Sequence, residues 1–504
     1  MSARALSQHL CLLLQYPVVI ATIFISGFGG SFQYGFSLSV MTSPSAFIKQ
    51  LLNQTCVERY NLLLEEWQVS VIWSCTISIF CIGGLVGSLV VTSLNTRFGR
   101  KRCLLLNNFV AIFGAVLMVL SQTARSFEMI MVGRLVYGIS AGVGILAHTR
   151  YLIECAPTKL RGMVGVSVAT FVAAGKFSGQ LLGIRELLGT EKNWHWLLGF
   201  NGFTALFQLL TLPFLPESPS FLLLERGDRK ACETALKRLW GDKDFSKVVG
   251  EMLREKAAMQ GVRDHSVLEL FQNPTIRWQL LTIIATFISL QFCGINAVYF
   301  YCFDVFRAAG IDEDKLPYAA LGTGLCEMLF SVVCFMMIES IGKMALLFSG
   351  CVGMCTALIL LIVSLFLQNH ASWMPYCSMV FIFIFIFFFS SGPAATIVPL
   401  PGEILTQPFK SAGYTLGCII NWAGLFVLGM GFPILAENIG NFCFIIFPVV
   451  CILCGLHIKC NVPETKNRTI LEITAEFERM HSKASKKQST EGDHGGITIH
   501  ETKL

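Results

Sequence analysis

The segment SMVFIFIFIFFFSSG, residues 378–392, contains no charged side chain and is one of many long apolar runs in the chain. About 20 consecutive apolar residues cross the hydrocarbon core of a bilayer as an α-helix. Twelve candidate spans can be centred along the sequence, near residues 27, 80, 112, 140, 173, 205, 290, 327, 355, 386, 422 and 450. The sequence therefore predicts an all-α polytopic membrane protein.

The composition agrees with this class of protein. The 504 residues are 54% hydrophobic and 14% charged, whereas soluble domains carry about 25% charged residues. The 19 cysteines fall mostly inside predicted spans without zinc-site spacing, so we interpret them as small apolar side chains. The formal charge of +6 belongs to loops and gives no indication of nucleic-acid binding. The sequence contains no nucleotide-binding loop, indicates no cofactor, and offers no nucleophile–base pair, so an enzyme is the least favoured class.

Lysine and arginine fall on alternate loops, which predicts the orientation of the chain. Four cations lie in RFGRKR (97–102), and the segment 217–277 holds eleven. Because cation-rich loops stay in the cytoplasm, we expect both termini to be cytosolic. We also expect the protein to lie in the plasma membrane. Asn53, in the sequon Asn53-Gln54-Thr55, then lies outside the cell as a glycosylation candidate.

The predicted domains follow from the spans and the charged segments. They are a cytosolic N-terminus (1–16), a six-helix half (17–216), a cytosolic helical linker (217–277), a second six-helix half (278–460) and a cytosolic tail (461–504). Charged and apolar residues alternate at helical spacing in the linker, which predicts a few short amphipathic helices there. The polar end of the tail, from residue 479, is predicted to be disordered.

Loop signals recur in the same order in the two halves. Glu154 precedes Arg161 by seven residues after the fourth span, and Glu403 precedes Lys410 by seven after the tenth. PES (216–218) follows the sixth span and PET (463–465) the twelfth, while GRK (99–101) and GK (342–343) follow the second and eighth. Three matches in register indicate two homologous halves, which predicts the major facilitator fold with substrate held between the halves.

The charged groups of these loops lie at the cytosolic ends of the spans. Pairs that form when the halves close and separate when they open would bias an alternating-access equilibrium. They could instead be ordinary topology signals. The candidate gating residues are Arg100, Glu154, Arg161, Glu217, Glu339, Lys343, Glu403, Lys410 and Glu464.

Six motifs resemble those of the facilitative hexose transporters, the sugar-porter branch of the major facilitator superfamily. They are RFGRKR (97–102), GRLVYGISAG (133–142), LRG (160–162), PESP (216–219), CGINAVYFY (293–301) and PETK (463–466). The resemblance runs from about Gly27 to Phe477. SFQYG (31–35), SFEMIMVGRL (126–135) and GIRELLG (183–189) are most similar to the class II, fructose-type branch.

This resemblance implies a set of sugar-contacting residues. They are Tyr34 on span one, Gln291 and Asn296 on span seven, and Asn421 and Trp422 on span eleven. Amide side chains offer hydrogen-bond donors and acceptors together, and an aromatic face can cover the apolar side of a sugar ring. Pro393, Pro399 and Pro401 are expected to break span ten, which the family uses as a gate.

Two charges stand inside predicted spans, where most positions are apolar. Lys176 is on span five and Glu327 on span eight, at a place where most family members carry asparagine. Charges at such depth are costly unless they face a partner or a cavity. Three interpretations are open: a pair joining the halves, a substrate or proton site, and a lysine that reaches a headgroup beside a hydrogen-bonded or protonated glutamate.

Together these features predict uniport of a hexose, fructose or glucose, by alternating access. One alternative is a carrier of a non-sugar substrate such as the organic anion urate, which Lys176 and Arg150 would suit. A proton-coupled sugar carrier is another. A transport-inactive membrane sensor is the third, because several residues expected of the family are replaced, including Ser220 and Met344.

Overall fold

The structure is a computed structural model that describes residues 13–157, 160–242, 245–259, 265–465, 468, 470 and 472–481. Within these ranges the secondary structure is helical, with no strand. The first group of helices, here called the N-terminal bundle, comprises α1 (Pro17–Gly29), α2 (Ser31–Ser39), α3 (Ser45–Tyr60), α4 (Glu66–Phe98), α5 (Arg100–Thr123), α6 (Phe127–Cys155), α7 (Arg161–Leu182) and α8 (Trp194–Thr211).

Three short helices follow and form the linker: α9 (Arg229–Trp240), α10 (Ser246–Met259) and α11 (Val267–Gln272). The C-terminal bundle comprises α12 (Arg277–Phe292), α13 (Ile295–Phe300), α14 (Cys302–Ala308), α15 (Leu316–Ile341), α16 (Lys343–Leu367), α17 (Met374–Ser391), α18 (Pro393–Thr396), α19 (Leu400–Ile404), α20 (Gln407–Ile439) and α21 (Ile446–Asn461). We call the side of the molecule that carries the linker the linker side, and the opposite side the α3 side.

Nine segments of the described chain are long and apolar enough to cross a membrane. One of them, 407–461, contains two helices, α20 and α21. Helices α7 and α15, with 22 and 26 residues, are also long enough to cross a bilayer about 30 Å thick. These helices correspond to the twelve predicted spans.

Glycine and proline interrupt the spans where the bundles approach each other. Gly294 has φ +105° and separates α12 from α13, a conformation that glycine adopts without a Cβ penalty. The predicted break of span ten is confirmed, since α17 ends at Ser391 and the short helices α18 and α19 begin beside Pro393 and Pro399.

Two long helix pairs provide most of the packing between the bundles. Helix α4 packs along α20, and α7 packs along α15, so the predicted spans five and eight do face each other. The α7–α15 crossing is close, because a Cβ built on Gly324 would lie 2.8 Å from the Cα of Phe177. This packing holds Lys176 and Glu327 at the interface between the bundles.

The linker docks against both bundles, as its amphipathic pattern predicts. Trp240 of α9 is buried and donates its indole N–H to the Cys155 carbonyl at 3.0 Å. Just before α11, the His265 N–H donates to the Pro408 carbonyl at 3.1 Å, and its ring stacks on Phe409. The linker therefore contacts the ends of α6 and α20, one in each bundle.

The start of the C-terminal tail is ordered as a helix over residues 472–481. Ile473 and Phe477 are buried, and the His481 ring stacks on Trp278 with 3.7 Å between centroids. The predicted disorder is therefore wrong for residues 479–481, because this apolar face has a surface to dock on. Residues 482–504 lie outside the described chain.

Candidate functional site

Three amide side chains form a hydrogen-bonded chain between α12, α13 and α20. Asn296 donates through Nδ2 to Gln291 Oε1 at 2.8 Å, and Gln291 donates through Nε2 to Asn421 Oδ1 at 2.6 Å. The helix is interrupted at Gly294, between Gln291 and Asn296, whose side chains meet across this break. Gln291 is buried, while Asn296 and Asn421 are partly exposed. The three amides therefore leave polar groups of Asn296 and Asn421 accessible to a hydroxylated ligand.

An aromatic wall adjoins this chain of amides. Trp422 is buried and follows Asn421 on α20. Its indole N–H donates to Ser88 Oγ of α4 at 2.8 Å, which fixes the ring across the interface between the bundles. The Tyr34 ring of α2 meets it edge-on, with 5.6 Å between centroids, and Phe80 of α4 does so at 5.9 Å.

Gly84 of α4 makes room for the indole. A Cβ built at this position would lie 2.2 Å from Trp422 Cζ3 and 2.3 Å from Cη2. Any side chain here would therefore displace the ring. The position of Trp422 depends on two residues of the opposite bundle, Gly84 and Ser88.

The two charges within the spans form an ion pair between the bundles. Lys176 Nζ lies 2.8 Å from Glu327 Oε1 and 3.1 Å from Oε2. The two side chains are only 7% and 9% exposed. The ammonium group also lies 4.2 Å from the centroid of the Tyr299 ring, a cation–π geometry. Lys176 therefore points at α15 and not outward to the bilayer surface.

The linker side carries two equivalent networks, one in each bundle, around the repeated loop motifs. Glu217 accepts the backbone N–H of Lys101 at 2.9 Å, and Glu464 accepts that of Lys343 at 3.0 Å. Each carboxylate sits at the N-terminus of a helix, α5 or α16, where negative charge is stabilising. The preceding Gly99 and Gly342 have φ of +94° and +101°.

Each network also holds a cation against the glutamate of the other repeated motif. Arg100 Nε lies 2.8 Å from Glu154, and its Nη1 lies 2.7 Å from Glu225. In the C-terminal bundle, Lys343 pairs with Glu403. Each of these ion pairs involves only one of the two bundles, so none of the three joins the N-terminal bundle to the C-terminal bundle.

The cations seven residues after each glutamate are not its partners. Among the described residues, Arg161 and Lys410 form no ion pair with Glu154 or Glu403; Arg100 pairs with Glu154, and Lys343 pairs with Glu403. The side chain of Glu339 lies outside the described residues. Arg150 pairs with Glu154 at 3.4 Å.

Comparison with known proteins decides the family. Residues 22–477 match the family model described as "Sugar (and other) transporter". The chain is 40% identical over 462 residues to solute carrier family 2, facilitated glucose transporter member 9 of mouse, covering 92% of this chain and 86% of that protein. It is 38% identical over 465 residues to member 5 of cattle, covering 92% and 93%.

The chain belongs to the sugar transporter family.

Solved structures show the same fold. The inward-open xylose transporter XylE of E. coli superposes with a TM-score of 0.74 at 19% identity, covering 91% of this chain and 99% of that one. The proton:xylose symporter XylE bound to 6-bromo-6-deoxy-D-glucose superposes with a TM-score of 0.73 at 20% identity, covering 92% and 99%. The fold is that of the major facilitator superfamily, and the protein is a membrane transporter and not an enzyme.

The transporter brings its five predicted sugar-contacting residues together around one interface. Gly84, Ser88 and Tyr299 also belong to this region, although the sequence does not single them out as site residues. Gly84 and Ser88 sit in an ordinary apolar span and give no separate signal, whereas Tyr299 lies inside the quoted motif CGINAVYFY. Lys176 and Glu327 stand out in the sequence because each is charged where its neighbours are apolar.

Proposed function

We propose that the transporter carries a hexose, fructose or glucose, down its gradient by alternating access. The observation that supports this most is the chain of amides Gln291, Asn296 and Asn421 beside the Trp422 indole, at the interface between the bundles. A sugar can exchange its hydroxyls for the hydrogen bonds that these amides make to each other. The names of the relatives, both facilitated glucose transporters, favour the same substrate class.

The linker side is proposed to face the cytoplasm, with both termini, in the plasma membrane. The cations of α9 and α10 and of the Gly99 loop support this orientation. Asn53 is exposed on α3, on the opposite side, where its sequon can receive a glycan. We retain the predicted domain boundaries as part of the same proposal.

The ion pairs of Lys176 and Arg150 favour a neutral substrate over an organic anion. Lys176 has Glu327 as its counterion, and Arg150 has Glu154. Neither cation is therefore free to neutralise an anion without first losing its partner. We also propose uniport, because the Glu327 carboxylate already has the Lys176 ammonium group as its counterion at 2.8 Å.

Uptake of radiolabelled fructose and glucose into oocytes, at confirmed surface levels and at pH 5.5 and 7.4, tests the proposal. Saturable uptake that unlabelled sugar competes and that ignores pH is expected. Asn421→Ala should abolish it. Asn438→Ala is the matched control, because Asn438 is an exposed amide on the same helix that bonds only its own helix backbone.

The alternatives give different results in the same assay. Uptake that rises several-fold at pH 5.5 would indicate proton coupling. No uptake of either sugar at full surface expression would overturn the proposal and favour a non-sugar substrate or a sensor.

A further inference from the structure

Several hydrogen bonds join the bundles directly at the middle of the molecule and on the α3 side. Trp422 with Ser88 is the central one. The others are Thr42 with the Tyr299 carbonyl, Lys176 with Glu327, Gln180 with Thr323, Arg185 with Asp314, and Glu186 with Tyr318.

Two of these contacts form a ladder between α7 and α15. Lys176 and Gln180 are four residues apart on α7, and Glu327 and Thr323 are four residues apart on α15, which runs the opposite way. Lys176 meets Glu327 at 2.8 Å and Gln180 meets Thr323 at 3.0 Å. Since residues four apart share one face of a helix, the two contacts are successive rungs one turn apart.

The ladder lies in a tightly closed interface. All four of its side chains are buried. Gly324 lies between the rungs, and a Cβ there would lie 2.2 Å from Gln180 Oε1. Just beyond the second rung, the void between the bundles measures only about 10 Å³ and is lined by Thr42 and Ala320 among others. The interface between the bundles therefore leaves little space for water or solutes here.

The ladder also borders the sugar site. Tyr299, which lies under the Lys176 ammonium group, follows Asn296 by three residues on α13, less than one turn toward the α3 side. The same tyrosine accepts the Thr42 hydroxyl through its carbonyl oxygen at 3.1 Å. The buried pair thus stands between the amides of the proposed site and the α3 surface.

We use the term outer gate for the contact between α7 and α15 that separates the proposed sugar site from the α3 side. We propose that the Lys176–Glu327 pair holds this gate closed by positioning α7 against α15. Opening that side separates the rungs and exposes both charges to water. The pair then matters through the difference between the two states. It need not stabilise the fold in net terms, because desolvation offsets much of the attraction in a buried pair.

Removing one partner should act on the closed state alone. Glu327→Gln leaves the ammonium group of Lys176 buried without a counterion while the gate is closed, which is strongly unfavourable. Once the gate is open, water solvates the same group. The substitution should therefore shift the population toward the conformation open on the α3 side.

A cysteine at Ala320 can report this shift. Ala320 is 3% exposed and faces the small void beyond the ladder, so Ala320→Cys is shielded while the gate is closed. Intact cells are treated with a membrane-impermeant maleimide, and modification of the peptide containing residue 320 is followed by mass spectrometry. Fragmentation of that peptide locates the added mass at residue 320 and distinguishes it from mass added at the native Cys326 and Cys334 of the same helix. No substrate is needed, so the result is independent of which sugar is carried.

The expected result is modification at least about tenfold faster in Glu327→Gln than in the chain with both charges. The charge exchange Lys176→Glu with Glu327→Lys should restore the slow rate. The matched control is Arg185→Gln with Asp314→Asn, a pair that also joins the bundles but is 58% and 87% exposed. Exposed pairs contribute little, so this change should alter the rate less than about fivefold.

Equal rates with and without Glu327, or a charge-exchanged chain as reactive as Glu327→Gln, would overturn the proposal. If Glu327→Gln does not reach the surface, Thr323→Val tests the neighbouring uncharged rung. This substitution should also make modification faster. An unchanged rate would contradict the proposal that the ladder holds the gate closed.

Discussion

Replacing Gly84 with alanine tests whether the N-terminal bundle positions the indole of the sugar site. The added Cβ would lie 2.2–2.5 Å from three atoms of the Trp422 ring. Carbon atoms in contact normally stand about 3.5–4.0 Å apart, so the ring must withdraw by more than about 1 Å. Because Trp422 is only 3% exposed, the ring has no open space into which to swing.

The cost follows from the bond that the displaced ring loses. Its N–H donates to Ser88 Oγ at 2.8 Å, and a buried donor left without a partner costs about 1–3 kcal/mol. Because the proposed site needs the ring in its original position, the free energy of sugar binding becomes less favourable by this amount. At 1.4 kcal/mol per tenfold, the loss of sugar affinity is about 5- to 150-fold.

Initial rates of hexose uptake as a function of concentration, normalised to surface protein, measure the effect. Gly84→Ala should raise the half-saturation concentration within that range. Gly431→Ala is the control on the same helix as Trp422, because a Cβ there meets no atom within 4 Å. It should leave uptake unchanged.

A double-mutant cycle with Trp422→Leu decides the reasoning. Without the indole, the alanine methyl group no longer meets the ring, so Gly84→Ala should add less than about twofold to the defect. An unchanged half-saturation for Gly84→Ala alone, or full additivity of the two substitutions, would refute the steric argument.

Three further outcomes are expected. Asn53→Gln should remove the mobility shift that glycosidase produces on a gel; a shift that persists would place the glycan elsewhere. Arg100→Gln removes the buried guanidinium group that pairs with Glu154 and Glu225, leaves Glu154 with the more exposed Arg150, and should cost about 1–3 kcal/mol of stability. This is measured as a lower melting temperature in detergent, and Lys343→Gln should cost less because its pair with Glu403 is more exposed. Burial lowers the pKa of His481 from its usual 6.5. The neutral ring therefore stabilises docking of the tail helix fully above pH 6.5, and this stabilisation is lost as the pH falls through the lowered pKa. Hydrogen exchange of residues 472–481, corrected for intrinsic rates, should become faster on acidification, and His481→Phe should remove this pH dependence.

The sequence predicts those features that depend on one residue and its immediate neighbours. Apolar runs about 20 residues long predict the spans, and prolines at 393 and 399 predict the break of span ten. Lys176 and Glu327 are conspicuous because a charge among apolar neighbours must find a partner. Their pairing across the bundles follows once spans five and eight are placed face to face.

Features that depend on the geometry of two distant segments could not be predicted. The repeated spacing of Glu154–Arg161 and Glu403–Lys410 identifies the charged residues of the two halves but not which of them form ion pairs. In the structure Arg100 reaches Glu154 first, because the α4–α5 turn places it beside the end of α6. Gly84 likewise has no sequence signal, since its role is defined only by the ring that packs on it from the other bundle.

The buried pair between the bundles limits how this transporter can be changed one residue at a time. A chimera that joins its N-terminal bundle to the C-terminal bundle of a relative with a neutral residue at position 327 would inherit Lys176 alone. The reciprocal chimera would inherit only the carboxylate. In both chimeras each half would keep the proposed sugar-contacting residues of its own parent. Each chimera would nevertheless carry one buried charge without a counterion at the interface between the bundles. Exchange of halves should therefore succeed only when both positions are changed together.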